Sequence, residues 1–311
     1  MHATITHGLR LTAVACLLAS RPAVATAQST SDSAPSKTTA AILVAHGGGD
    51  EWNAKVEALA AALRSERPVE VAYLMGDGAR AHRFQDAVKR LEKQAVAEIV
   101  VVPVLVSSFS GHYDQVRYLA GQQVTLDTAM SHHLHMAGLE PANTSVPLRI
   151  TRAIDDAPEL ARVLADRALA IAPAPAGRAL FIIGHGPNSA EDYAEWMARL
   201  RIVADSVSKL TGFADVRIEL MRDDAPAHVR AEAIRRIRDL IELQHAATKQ
   251  DVVVVPVLVA RGDVNNVKVP RDLAGLPIAY RGDGLLFHPA MVAWAKRRIQ
   301  EAASAPVSSH P

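Results

Sequence analysis

Two histidines stand where a short apolar run gives way to glycine, at Ala40–Ala45 before His46 and at Leu180–Gly184 before His185. A third, His112, follows another apolar run in the phrase SSFSGHYDQ. Neutral imidazoles hold late first-row metal ions and also exchange protons near neutral pH. The glycines after His46 let the backbone take positive φ and let a bulky ligand come close. His46 and His112 are 66 positions apart (112 − 46), so only a shared structural edge could bring them together. In a parallel sheet the carboxyl ends of neighbouring strands form that edge, and ligands bind there.

The elements that would create such an edge can be read in order. Ala40–Ala45, Val69–Met75 and Ile99–Val106 are short apolar strands, with Val146–Ile150 a shorter fourth. Between them Trp52, Val56, Leu59 and Leu63, then Phe84, Val88 and Leu91, recur at helical spacing. Asp77 or Gly78 is the expected cap of the second helix. Pro103 has no N–H to donate and points to an edge or a bulge in the third strand. Ala157–Ile171 closes the first half. The order then repeats: Leu180–Gly184, a helix through Trp196 to Val207, Val216–Met221, a helix at Ala231–Leu243, Asp251–Val259, Leu276–Tyr280 and a helix at Pro289–Ala302. HG, LM-x-D and VVVPVLV occur in both halves in the same order, so a duplicated unit is expected. Alternating strands and helices imply parallel βαβ construction. The expected fold class is therefore α/β, with two tandem domains, each a parallel sheet flanked by helices, and a cleft between them.

The expected limits are a first domain at 40–172 with an insertion at 122–145, a linker at 173–178, a second domain at 179–304 and a tail at 305–311. Ahead of these, Arg10, the apolar stretch Leu11–Ala19 and the triplet Ala25-Thr26-Ala27 read as a secretory signal peptide over 1–27. A flexible spacer over 28–39 follows. Export to the periplasm or beyond is the expected localisation. The apolar core of the signal is too short to span a membrane. Cys16 is the sole cysteine and would leave with the signal, so cysteine-ligated metal and cysteine nucleophiles are not expected in the mature chain. A formal net charge of +1 gives no electrostatic case for a nucleic-acid partner.

With ILVAHGGGDE, VEVAYLM and IVVVPVLVSSFSGHY on the page, the chain resembles the sirohydrochlorin chelatases and cobaltochelatases of the class II group. The resemblance runs over residues 40–304 in tandem form. It implies a divalent metal ion (cobalt, iron or nickel) as substrate, a tetrapyrrole of the sirohydrochlorin type as partner, and no organic cofactor. It also implies that His46 and His112 bind the metal and accept pyrrole protons, with His185 as a further candidate ligand. Relatives often carry a glutamate at the end of the second strand, where Met75 and Met221 stand here. Asn265 takes the place of a second histidine in the second half, so His185→Ala is expected to matter less than His46→Ala. The alternative is an exported protein that binds metal or tetrapyrrole without turnover.

Other groups have weaker claims. His132, His133 and His135, in SHHLHM of a polar insertion loop, are candidate accessory metal ligands. Arg117, Arg261 and Lys268, with Arg271, follow the third strands, where ring carboxylates could meet them. Glu219 is either a replacement carboxylate or the partner of an arginine. An unperturbed histidine pair would meet proton competition as pH falls through roughly 6.5 to 5.5. His-Gly-Gly-Gly resembles an esterase oxyanion loop, but no G-x-S-x-G elbow accompanies it.

Overall fold

A computed structural model describes residues 38–305, apart from 77, 123 and 124. The expected signal peptide, Cys16 and most of the spacer lie outside the described residues. Two four-stranded parallel sheets make up its centre. The first has the order β2-β1-β3-β4, from β1 (Thr39–Ala45), β2 (Val69–Tyr73), β3 (Glu98–Val104) and β4 (Leu148–Ile150). The second repeats it as β6-β5-β7-β8, from β5 (Ala179–Gly184), β6 (Asp215–Leu220), β7 (Val252–Val257) and β8 (Ile278–Tyr280). Helices cover both faces of each sheet, which is why β1, β3, β5 and β7 are apolar without alternation and almost wholly buried.

Register sets the rim on which the histidines stand. Ala45 lies beside Tyr73 on one side and Val104 on the other, so His46 is the first residue past the ladder. In the second sheet Gly184 lies beside Leu220 and Val257, and His185 leaves the ladder at the same point. This register corrects the pairing of Met75 with Met221. Tyr73 is opposite the residue before His46 and Leu220 opposite the residue before His185, so Met221 corresponds to Leu74 and Met75 to Arg222. Side-by-side reading of LM-x-D misses the slip because both phrases fit apolar strand ends.

Pro103 stands at a local edge, because β3 is an inner strand without a bulge but its ladder with β4 stops short of this residue. Ile99 donates to Pro147 and Val101 accepts from Thr151, so alternate residues of β3, Pro103 among them, face β4. The β4 ladder ends at Ile150 beside Val101, so the missing N–H falls past the last partner. Pro256 repeats the solution in β7, where β8 ends beside Val254.

The helices are α1 (Asp50–Arg64), α2 (Phe84–Glu92), α3 (Gly111–Leu119), α4 (Thr128–Ala137), α5 (Pro158–Ile171), α6 (Ala190–Thr211), α7 (Ala227–Thr248), α8 (Val269–Asp272) and α9 (Ala290–Ser304). Of the two caps expected for α2, Asp77 lies outside the described residues and Gly78 is not at the helix start. That helix starts at Phe84 after an extended Arg83, and the chain between spends its turns reaching from β2. The expected insertion loop contains α4. Asp127 caps it by accepting the N–H of Met130 at 2.9 Å, and Gly138 ends it at φ +67°. No helix among the described residues is long and apolar enough to cross a membrane.

The closing helices cross over. α5 follows the first sheet in sequence but packs on α6 and β7, while α9 ends the chain against β3, β4 and α1. Met291, Trp294, Ala295 and Ile299 form one apolar stripe of α9 and are fully buried. Arg297 adds a bidentate pair with Glu159 of α5, at 2.8 and 2.7 Å. One apolar core therefore runs through both halves, from Ile42 and Val102 to Leu180, Val253 and Trp294. Trp294→Ala would open a cavity costing about 3–5 kcal/mol at the seam. That continuity holds the two strand rims against one another.

Candidate metal-binding cleft

His46 leaves β1 into a loop fixed by its own backbone. Gly47 sits at φ +93°, and a Cβ there would lie 2.1 Å from the carbonyl oxygen of Met75, so only glycine fits. The N–H of Met75 donates to the carbonyl of His46 at 2.9 Å. Asn53 of α1 then clamps Gly48, accepting its N–H at 3.0 Å and donating to its carbonyl at 2.9 Å. His112 is the second residue of α3, whose start is set by Ser110 accepting the N–H of Tyr113. The preceding loop is stapled by Asp155, whose fully buried carboxylate accepts from the N–H of Ser108 at 2.8 Å and from its hydroxyl at 2.7 Å.

These loops bring His46 and His112 edge to face, with ring centroids 4.7 Å apart and planes at 86°. Their tautomers follow from their partners. Nδ1 of His46 is 2.8 Å from the carbonyl oxygen of Gly47, which can only accept. Nδ1 of His112 is 2.9 Å from Oε1 of Gln115, whose Nε2 is committed to the carbonyl of Met130 at 2.9 Å. Both Nδ1 atoms therefore carry hydrogen, and both Nε2 atoms carry free lone pairs. This is the arrangement of a metal-binding imidazole held by an outer-shell acceptor. Gln115 is fully buried, and its place one turn after His112 was the only sequence signal for it.

Burial governs the electrostatics. Desolvation, followed by the neighbouring His46 ring, pushes His112 down to about 4. Desolvation also lowers His46, against the opposing pull of the Gly47 carbonyl. Both rings are thus held in the form that can donate an electron pair to a metal. The same shift makes His112 a weak proton acceptor at neutral pH, and moves proton competition at that ring well below the expected 6.5 to 5.5.

The pair faces a cleft of about 510 Å³ between the two halves. Trp52, Ser110 and Met130 line it from the first half, and His185, Trp196, Asp224 and Asn265 from the second. A volume of this size suits an organic ligand with a few polar contacts. Trp196 of α6 donates its indole N–H to the carbonyl of Phe109 at 2.6 Å, which ties the loop before His112 to the opposite half. His185 repeats the first-half geometry, with Nδ1 2.9 Å from the carbonyl of Gly186 at φ +82°. Its Nε2 lies 3.3 Å from Asp224 and 3.8 Å from Asp223. Asn265 does occupy the place of His112, since each follows the last residue of its strand by eight positions (112 − 104 and 265 − 257). Its Nδ2 is 3.3 Å from the carbonyl of Gly282.

The remaining candidates are placed differently. His132 and His135 are exposed on α4, whereas His133 has a buried Nδ1 without a hydrogen-bond partner and lines a separate pocket with Met75, Arg80 and Met136. Arg117 pairs with Asp114 at 3.4 Å, Arg261 with Asp283 at 2.8 Å and Lys268 with Asp223 at 2.5 Å. None of these three cations lines the cleft; their charges are engaged by carboxylates beside it. Glu219 is the partner of an arginine: it accepts from Arg236 at 2.8 Å and from Tyr193 at 2.7 Å, beneath the sheet rim.

Residues 40–170 match the CbiX family model. Curated protein sequences give no significant match. Among solved structures, SirB from Bacillus subtilis with Fe3+ is 17% identical with a TM-score of 0.59, over 86% of this chain and 96% of that one. The sirohydrochlorin chelatase SirB from Bacillus subtilis subspecies spizizenii, in complex with cobalt, is 16% identical with a TM-score of 0.59, over 88% and 98%. CbiX, described as the terminal enzyme for siroheme biosynthesis in denitrifying bacteria, is 20% identical with a TM-score of 0.50, over 86% and 99%. At these identities the structural likeness concerns the fold. The chain has the fold of the chelatases in tandem form, and its residues 40–170 match the CbiX family model.

Proposed function

We propose that the protein inserts a divalent metal ion into a tetrapyrrole of the sirohydrochlorin type within the cleft. The observation that carries this reading is the His46–His112 pair, with two Nε2 lone pairs beside a ring-sized cleft. The metal is substrate, and cobalt and iron are the ions named for the SirB structures. Two neutral imidazoles strip water from the ion and hold it at the ring edge, which turns a collision into a positioned encounter. The ring gives up two N–H protons to water in the open cleft as the ion enters, and its nitrogen electron pairs replace those of the histidines. Loosely held ligands suit that exchange, because the ion must leave them.

A second reading is a binder without turnover, and one observation favours it. Met75 stands two residues past β2, and His112 is pushed down to about 4, so the first half lacks a strong base for the ring protons. Incubation with Co2+ and sirohydrochlorin, followed by absorbance, separates the two. Product beyond one equivalent per chain supports the chelatase; a saturable shift that stops at one equivalent supports the binder. Export of the mature chain is part of the proposal. It rests on Arg10, Leu11–Ala19 and Ala25-Thr26-Ala27. N-terminal sequencing of the protein recovered outside the cytoplasm, starting at Gln28, would support it, and an intact Met1 would refute it.

A further inference from the structure

Four aspartates line the cleft. Asp127 and Asp192 come from the starts of α4 and α6, and Asp224 and Asp263 stand past the ends of β6 and β7. Among the described residues no lysine or arginine lines it. Burial holds His46 and His112 neutral, and the ring of His185 is paired with Asp224 at 3.3 Å. Even with His185 protonated, carboxylates outnumber cations in the lining.

The groups that would receive an anion at this rim are already filled. Helix starts attract anions through their free N–H groups, and α4 and α6 both begin at the cleft. Asp127 itself accepts the N–H of Met130 at 2.9 Å. Ser189 accepts the N–H of Asp192 at 3.0 Å, and the Asp192 carboxylate adds its own charge to that first turn. Beside the cleft, Arg117, Arg261 and Lys268 are held by Asp114, Asp283 and Asp223. A ring with free carboxylates around its edge would set like charge against like charge here, which disfavours it as a partner. A carboxamide reverses that sign, because its N–H donates to a carboxylate in a charge-assisted hydrogen bond. The apolar body of either ring meets Trp52 and Trp196. Trp52 reaches the opposite half, since a Cβ on Gly262 would lie 3.9 Å from its indole.

We propose that the cleft selects a tetrapyrrole whose peripheral acid groups are masked as carboxamides over one that carries them as free carboxylates. This rests on the tetrapyrrole reading of the cleft and names the substrate class within it. Sirohydrochlorin has a ring of the right kind and is metallated, but with a raised KM. Its carboxamide derivative lowers KM and leaves kcat nearly unchanged, because the selection acts on the ring edge and not on the entering ion. The same acidic lining attracts a divalent cation, so one field draws in the ion and sorts the ring.

The test compares sirohydrochlorin with the derivative made by coupling all its carboxyls to ammonia. Binding to the metal-free protein is read by quenching of tryptophan fluorescence, and metallation with Co2+ by absorbance. At low ionic strength the carboxamide ring should bind at least about tenfold tighter. Salt should narrow that gap by tightening the carboxylate ring, since screening reaches within about 10 Å at 0.1 M. The double variant Asp192→Asn, Asp224→Asn should narrow it too, from both sides. The salt series uses wild type alone, so it stands even if the variant folds poorly. Equal or tighter binding of the carboxylate ring at low salt would overturn the proposal, as would a gap that neither salt nor the variant alters. Those outcomes leave the cleft a tetrapyrrole site. Failure of both rings to bind would instead refute the proposed function, and this selection with it.

Discussion

Acid should destabilise this protein through His112, and the size of the effect follows from its surroundings. In the folded chain burial pushes the ring down to about 4, whereas in the unfolded chain it titrates near 6.5. Between those values the unfolded state binds the extra proton, so stability rises with pH through that window and is lost as pH falls. At pH 8 neither state is protonated and the cost is nil. At pH 5 the linkage relation gives a loss of about 2 kcal/mol from this one ring, approaching about 3 kcal/mol near pH 4. The clean comparison is wild type against His112→Gln, which lacks the titrating group. Urea unfolding of both at pH 8 and pH 5 gives a double difference in which all other titrations cancel. With an m value of about 3 kcal/mol/M, wild type should lose roughly 0.7 M more of its midpoint than the variant. Proton NMR of the histidine rings should place one titration near pH 4. Equal midpoint shifts in the two proteins, with every histidine titrating near 6.5, would show that the ring is hydrated and that the cleft is not as drawn.

Two substitutions probe the supports of the pair. Gln115→Leu should leave the Nδ1–H of His112 and the carbonyl of Met130 unpaired, costing about 2–4 kcal/mol by chemical denaturation. It should also lower Co2+ affinity about 10- to 100-fold; unchanged affinity would mean that Gln115 does not orient the ring. Gly47→Ala should cost about 3 kcal/mol or more, because its Cβ would meet the Met75 carbonyl at a positive φ. A fully stable Gly47→Ala protein would contradict the loop geometry around His46.

The sequence made the rim legible and left its furnishing obscure. Buried parallel strands carry unbroken apolar runs, so β1, β3, β5 and β7 stood out and placed His46 and His185 at strand ends and His112 after the end of β3. Repetition of VVVPVLV then gave the duplicated order of strands. Local pattern has no access to register, however, and Met75 and Met221 were matched although the ladder offsets them by one. The same limit hid the exchange of α5 and α9, because an amphipathic helix does not state which sheet receives its stripe. Gln115 is an ordinary polar residue in sequence; only the tautomer of the neighbouring imidazole gives it a role. Arg117, Arg261 and Lys268 looked free for ring carboxylates because their partners, Asp114, Asp283 and Asp223, become visible only after folding.

Metallation of sirohydrochlorin with Co2+ by wild type, His46→Ala, His112→Ala and the double variant, under identical conditions and with folding verified by circular dichroism, tests the central claim most directly. Each single variant should fall at least about 100-fold in rate. The double variant should fall little further, because residues that act as one unit are not additive. Turnover by the folded double variant at the wild-type rate would contradict the account, since metal would then reach the ring without either imidazole.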